Sequence, residues 1–212
     1  MIKLNNFLAE FCGIIIGDGC LYNKSNNYLI MISGHPINDR EYYDQLIKEI
    51  KNISQNKIRL KLHQKSLRLI LQDKKLYNFF VNDLSMEYNG KKTYNVYIPK
   101  LISRNNIYKK RCLRGIFDTD GSVFTSNKKG SPNYPCIEIT TVSERLAKNI
   151  FNILNDMKFR VRIRKYKPKG GINCFRISLN GYNMIKKWYR EIGSSNPTKR
   201  RKIELILRGK AI

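Results

Sequence analysis

The chain has 212 residues, 42% of them hydrophobic, and carries 41 Lys and Arg against 16 Asp and Glu for a net charge of +25. That apolar content supports a packed core and excludes global disorder, while no apolar run approaches the roughly 20 residues of a membrane span. A positive excess of this size repels itself in the folded state and calls for a polyanionic partner, with nucleic acid as the first candidate.

The N-terminal stretch Met1–Phe11 is interrupted by Glu10 and shows no cleavage site, so a signal peptide is not expected. Cys12, Cys20, Cys112, Cys136 and Cys174 form no CxxC pair, and His35 and His63 lie far from any such pair. No zinc site is expected, and the thiols are expected to be reduced in an intracellular, cytosol-like compartment.

In chain order, the first strong signal is FCGIIIGDGCLY, Phe11 to Tyr22, an apolar helix ending in Gly17-Asp18-Gly19. A carboxylate is disfavoured there, because the helix dipole already places partial negative charge at the C-terminus. A strand (Tyr28–Ser33) and a helix with an Asn38 cap (Asn38–Ile53) follow. Two strands, Lys57–Gln64 and Ser66–Gln72, are joined by a tight turn near Lys65, and a helix over Asp73–Leu84 comes next. A join falls near Ser103–Asn106.

The pattern then repeats. LRGIFDTDGSVF, Leu113 to Phe124, echoes the opening motif half a chain later: Gly13 matches Gly115, Asp18 matches Asp120 and Gly19 matches Gly121. A strand (Cys136–Thr141), a Ser-capped helix (Ser143–Met157), two strands (Arg160–Tyr166 and Cys174–Asn180) around the turn Pro168–Gly171, and a helix (Tyr182–Ile192) complete the second unit. A last helix spans Pro197–Gly209. The fold class is therefore α+β, with two pseudo-symmetric αββαββα halves, 1–103 and 104–212, each built on an antiparallel sheet.

The strands carry cations on one face. Alternation sets Ile58, Leu60 and Leu62 against Lys57, Arg59, Lys61 and His63, and Val161 and Ile163 against Arg160, Arg162 and Arg164. The next strands continue the rows with Arg68 and Gln72, and with Arg176 and Ser178. Tyr22, Asn23, Lys24, Ser33 and Thr141 extend the same surface. An ordinary solvated face mixes its signs, since like charges side by side are destabilising. Single-sign rows point to a sheet that faces nucleic acid and reads base edges in the major groove.

Gly13 and Gly115 fall in mid-helix, where each costs about 1 kcal/mol relative to Ala. Close packing of the two equivalent helices through these glycines accounts for that cost and brings Asp18 and Asp120 together. Paired carboxylates repel unless a cation sits between them. Hard oxygen ligands suit Mg²⁺ and metal-assisted phosphodiester hydrolysis.

FCGIIIGDG and LRGIFDTDG resemble the two copies of the LAGLIDADG motif of homing endonucleases, and IIGDGCLY and KKLYNFF look like the compact, monomeric, intron-encoded branch of archaeal type. The resemblance spans essentially the whole chain. It implies saddle-shaped sheets straddling a long, non-palindromic double-stranded DNA site, cut in both strands with Mg²⁺ to leave short 3′ overhangs. Mn²⁺ is expected to substitute, and Ca²⁺ to support binding without cleavage. By motif position, Asp18 and Asp120 are the catalytic metal ligands, with Gly17 and Thr119 beside them in the metal-binding set. Asp118 matches an acid with a structural role, and its counterpart is Ile16. Cys12 fills a small packing position, and Arg114, its departure in the second motif, is expected to reach the surface or Asp118.

The resemblance also implies a basic residue near each scissile phosphate. Lys91 or Lys92 and Lys199 or Arg200 are the candidates, with Lys91 and Lys199 the better-matched pair. Where relatives carry Gln or Lys after the second strand, this chain has Gly34-His35 and Thr141-Val142, so His35 joins the candidate DNA-facing residues. The alternatives are an RNA maturase that assists group I intron splicing, with intron RNA as partner, and a DNA-binding regulator that does not cut. No intein splicing block is found, which favours an intron-encoded or free-standing gene. A monomer, in the cytoplasm or in an organelle, is expected.

Overall fold

The computed structural model describes residues 2–90, 92–128, 130–169 and 171–209. The first half runs α1 (Asn6–Asp18), β1 (Gly19–Lys24), β2 (Asn27–Gly34), α2 (Arg40–Lys51), β3 (Ile58–His63), β4 (Ser66–Gln72) and α3 (Lys74–Asn78), which continues into a π-helical turn over Phe79–Asp83. The short helices α4 (Lys92–Asn95) and α5 (Lys100–Ser103) lead into the second half. That half runs α6 (Asn106–Asp120), β5 (Gly121–Lys128), β6 (Ser131–Thr141), α7 (Glu144–Asp156), β7 (Val161–Tyr166), β8 (Cys174–Asn180), α8 (Tyr182–Glu191) and α9 (Pro197–Leu207). Two four-stranded antiparallel sheets result, ordered β1-β2-β4-β3 and β5-β6-β8-β7. Among the described residues, no helix is long and apolar enough to cross a membrane.

Both motif helices start on an asparagine cap. The Asn5 side chain accepts from the Leu8 N–H at 2.9 Å, and Asn105 accepts from Ile107 and Tyr108 at 2.9 and 3.0 Å. These bonds satisfy N–H groups that the helix itself leaves unpaired. α1 then runs through buried residues without interruption from Leu8 to Ile16. Apart from Glu10 this stretch is apolar on every side, because it is buried on every side. At its C-terminal end the chain turns directly into β1, so close to the helix that a Cβ on Gly19 would lie 2.4 Å from the Ile15 Cα. Gly121 does the same after α6, at 2.5 Å from the Phe117 carbonyl oxygen.

Each sheet buries one face under its helices. Leu21, Ile30, Ile32, Leu67, Leu69 and Leu71 pack with Tyr43, Leu46 and Ile50 of α2 in one half. Val123, Ile137, Ile139, Ile177 and Leu179 pack with Leu146, Ile150 and Leu154 of α7 in the other. The strand alternation follows from this burial, since residues two apart share a face.

Four local expectations are corrected. α2 starts at Arg40 with Asp39, not Asn38, at its cap position, and the Asp39 carboxylate accepts from the His35 N–H at 2.8 Å instead of capping the helix. The helix after Asp73 is not regular to Leu84: it widens at Phe79, where the Leu84 N–H bonds to the Phe79 carbonyl. The extra residue in that turn lets the adjacent Phe79 and Phe80 both enter the core, with Phe80 edge-on to Phe11. Leu62 is 68% exposed and Ile163 39%, because both lie on edge strands where the core-facing row runs out of cover. Arg160 precedes β7 instead of opening it.

Candidate active site and nucleic-acid interface

The two motif helices meet backbone to backbone. A Cβ on Gly13 would lie 2.1 Å from the Cys112 carbonyl oxygen, and one on Gly115 would lie 2.2 Å from the Glu10 carbonyl oxygen. Residues at the same height face each other, so the helices run side by side and their C-terminal ends emerge together. At that end a Cβ on Gly17 would strike the Thr119 side chain and sit 3.4 Å from the Asp120 carboxyl carbon. Asp120 is half-buried against the end of α1, and Asp18 is exposed. A cleft lined by Gly17, Cys20, Asp120, Thr140 and Thr141 opens beside them.

Lys199 answers the electrostatic problem of an acid at a helix C-terminus. Its Nζ donates to the carbonyls of Phe117 and Thr119 in the last turn of α6, at 2.8 and 2.9 Å. A cation there offsets the negative end of the helix dipole. Burial pulls the Lys199 pKa below its ordinary value, opposed by the charges of Asp118, Asp39, Asp18 and Asp120. The lysine rides on the first turn of α9, which Asn196 caps by accepting from the Thr198 N–H at 3.0 Å.

Asp118 fixes the loop that carries this lysine. It is buried, and its carboxylate accepts from the Ser194 hydroxyl and from the Ser195 N–H, the latter at 2.8 Å. Burial pushes its pKa up to about 7, against the pull of those hydrogen bonds. Asn196 adds a link to Asp39 at 3.2 Å. Glu10 accepts from the Ser195 hydroxyl and pairs with Arg111 and Arg114, both at 3.6 Å. Arg114 therefore reaches Glu10 and the Ile192 carbonyl (2.6 Å), not Asp118. No local pattern marks Asp39, Ser194, Ser195, Asn196 or Glu10 as site residues, because they act across separations of 76 to 185 residues. Cys12 is buried with its thiol 3.4 Å from the Met86 sulfur, a packing contact.

A divalent cation fits this donor set. Asp18 and Asp120 supply hard carboxylate oxygens at two helix ends whose dipoles also favour positive charge. Among the described residues, no group of three or more His, Cys, Asp and Glu comes together, so peptide carbonyls and water would complete the shell. One lone pair of the Thr119 carbonyl is already held by Lys199. Lys91 lies outside the described residues.

The register places the sequence-predicted interface residues on one face of each sheet. In the first sheet Ser33, Arg68 and Lys61 stand in a row, as do Met31, Ile70 and Arg59, and Tyr22 stands beside Leu29 and Gln72. Lys24 and His63 extend that face, and Lys57 precedes β3 beside Arg59. In the second sheet the rows are Glu138, Ser178 and Arg162, and Thr140, Arg176 and Arg164. The exposed Arg160 guanidinium donates to the Asn180 carbonyl at 3.4 Å.

Three placements differ from the sequence reading. Thr141 stands opposite Phe175, on the other side of the strand from Thr140 and Arg176, and its hydroxyl accepts from the Ser143 N–H at 3.1 Å. Asn23 is off the face as well, its backbone bonded to the Asn89 side chain at 2.8 and 3.1 Å. His35 lies past the end of β2, where its Nδ1 accepts from the N–H groups of Ile37 and Asn38 at 3.3 and 3.2 Å and shapes the turn into α2. The second face is also not of one sign: Glu138 pairs with Arg176 at 3.4 Å.

Residues 108–193, which hold most of the second motif helix and the second sheet, match the model of the LAGLIDADG-like domain. The fold is similar to that of the homing endonuclease I-DmoI, solved in complex with DNA and Ca (TM-score 0.64, 21% identity, covering 95% of this chain and 97% of that one). It is similar also to the homing endonuclease I-WcaI bound to its DNA recognition sequence (TM-score 0.62, 15% identity, 96% and 88% covered). Among curated proteins, the chain is 26% identical over 207 residues to the replication factor C small subunit of Methanocaldococcus jannaschii, covering 96% of this chain and 10% of that protein. An uncharacterized protein of the same organism is 25% identical over 139 residues, 66% of this chain and 49% of that one. The chain thus spans only part of the curated relatives it matches.

Proposed function

We propose that this chain is a site-specific DNA endonuclease that makes double-strand breaks in a long, non-palindromic site and leaves short 3′ overhangs. The observation that carries the reading is the abutment of the two helix ends that bear Asp18 and Asp120, with Asp120 packed against Gly17, in a chain whose two sheet faces are rich in Lys and Arg. Asp18 and Asp120, with the carbonyls of Gly17 and Thr119, would hold Mg²⁺. The bound cation supplies charge stabilisation at the phosphate and a more acidic water. Lys199 keeps the end of α6 in place and has a third N–H to direct at a phosphate oxygen or a water. By sequence position, Lys91 or Lys92 is the corresponding candidate of the first half. The cationic faces position DNA by its phosphates and read base edges.

Support comes from the fold shared with I-DmoI, which has been solved with DNA and Ca and with DNA and Mn. Mn²⁺ is expected to replace Mg²⁺, and Ca²⁺ to permit binding without cutting. The protein acts as an intracellular monomer with one catalytic centre between its halves, 1–103 and 104–212.

The test is cleavage selection from a randomised DNA library in Mg²⁺, repeated with Asp18→Asn and Asp120→Asn. Cleavage lost with binding retained supports the reading. Cleavage intact in the double variant would sink the two-carboxylate mechanism. Specific binding with no cleavage in Mg²⁺ or Mn²⁺ would make the protein a DNA-binding regulator instead. Intron RNA is a second polyanion for the same faces, and splicing of a host intron by the double variant tests that role.

A further inference from the structure

The two sheets are equivalent in topology, so their outward rows can be compared residue by residue. Cys20, Met31, Ile70 and Arg59 form the second row from the catalytic end in the first sheet. Ser122, Glu138, Ser178 and Arg162 form the same row in the second sheet. One row is apolar except at its outer edge, and the other is polar throughout. The difference is confined to this row: one row further out, Gln72 and Asn180, both carboxamides, occupy matching positions.

We infer that these rows read different bases at matching distances from the centre of the site: A·T pairs beneath the first sheet and G·C pairs beneath the second. The inference rests on the nuclease reading above and deepens it. Met31 and Ile70 have no hydrogen-bonding group in their side chains. They favour the thymine methyl, and they would strand the donor and acceptor edges of a G·C pair away from water. Arg162 and Arg176 are matched by Arg59 and Arg68 in the first sheet, so the contrast rests on Met31 and Ile70 against Glu138 and Ser178. In the second sheet Glu138 accepts from the cytosine amino group. The ion pair between Glu138 and Arg176, at 3.4 Å, orients both ends of that reader before DNA arrives. These side chains are partly or fully exposed on the outward face, so exchanging them leaves the buried rows untouched.

Binding-site selection in Ca²⁺ reads base preference apart from cleavage. The wild-type chain is compared with Glu138→Met/Ser178→Ile and with the reciprocal Met31→Glu/Ile70→Ser. The expected result is a wild-type site with A·T at one row position and G·C at its mirror position. Each exchange should weaken the preference at its own position by roughly tenfold or more and move it toward the base favoured by the other half. Retained affinity for the remainder of the site reports that a variant is folded. A wild type that selects one defined site, with both exchanges keeping the wild-type bases at both positions, overturns the inference and leaves the nuclease reading standing. A wild type that selects no sequence at all overturns both.

Discussion

The two halves share one topology and solve the same problem with different chemistry. In the first motif the position two before the terminal aspartate is Ile16, buried in the core; in the second it is Asp118, equally buried but bonded to Ser194 and Ser195. The apolar residue only fills space. The acid ties a distant loop, and with it Lys199, to the end of its motif helix. A repeat therefore preserves the contacts that every copy needs, here the glycine crossing and the terminal aspartate, and lets the surrounding positions specialise.

Buried acids show the same divergence. In the first half Asp73 is buried, which by itself raises its pKa, but bonds from Ser54, the Leu76 N–H and Asn56 outweigh this and hold it below the ordinary value. In the second half burial wins, and Asp118 is pushed up to about 7. The balance of desolvation depth and nearby like charge against hydrogen-bond supply decides which way a buried carboxylate moves.

The largest expected effect erases the terminal aspartates, the feature the halves share. Asp18→Asn or Asp120→Asn removes part of a charge stabilisation worth several kcal/mol, a loss of roughly a thousandfold or more in the cleavage rate. Gel-shift affinity in Ca²⁺ should change little, and a matching loss of affinity would mean that the acids serve binding instead. Next comes the crossing itself. Gly115→Ala puts a methyl 2.2 Å from the Glu10 carbonyl oxygen, an overpacking that costs about 3 kcal/mol. Gly13→Ala should match it closely, and unequal urea midpoints for the pair would show that the crossing is less symmetric than its geometry.

Lys199→Met sharpens the comparison by removing the C-terminal cation of α6. The Phe117 and Thr119 carbonyls lose their partner, at a cost of about 1–3 kcal/mol for each one left buried without a replacement. Chemical denaturation measures this, and single-turnover cleavage should fall beyond what the stability loss explains.

The smallest effects are in pH dependence, and they oppose each other. Asp118 has a folded pKa above its unfolded value. Its contribution to stability is full below about pH 4 and is lost as pH rises through about 7. Asp118→Asn should flatten that part of the stability curve, measured without divalent metal. Asp73 has a folded pKa below its unfolded value. Its contribution is present above about pH 4 and is lost as pH falls through the depressed pKa. Asp73→Asn should therefore reduce acid sensitivity, and the two variants should tilt thermal melting in opposite directions across pH 3–7.

The local chemistry of the chain was sufficient for its repeats, its alternating strands, the cationic row from Arg59 to His63, and the adjacency of Gly13 with Gly115. Each of these depends on short-range periodicity or on the match between two copies of one unit. Tertiary structure alone decided the rest. Lys199 was a lysine in a run of cations until the fold laid it across the last turn of α6. Thr140, not Thr141, became the outward residue because the β6–β8 register sets it beside Arg176. Glu138, silent in a sequence where Lys and Arg dominate, breaks the single-sign face because that same register brings it within reach of Arg176. Asp118, Ser194 and Glu10 form their network across most of the chain. Periodicity reports which face of an element a residue occupies, and the partner across that face is fixed only when distant segments pack.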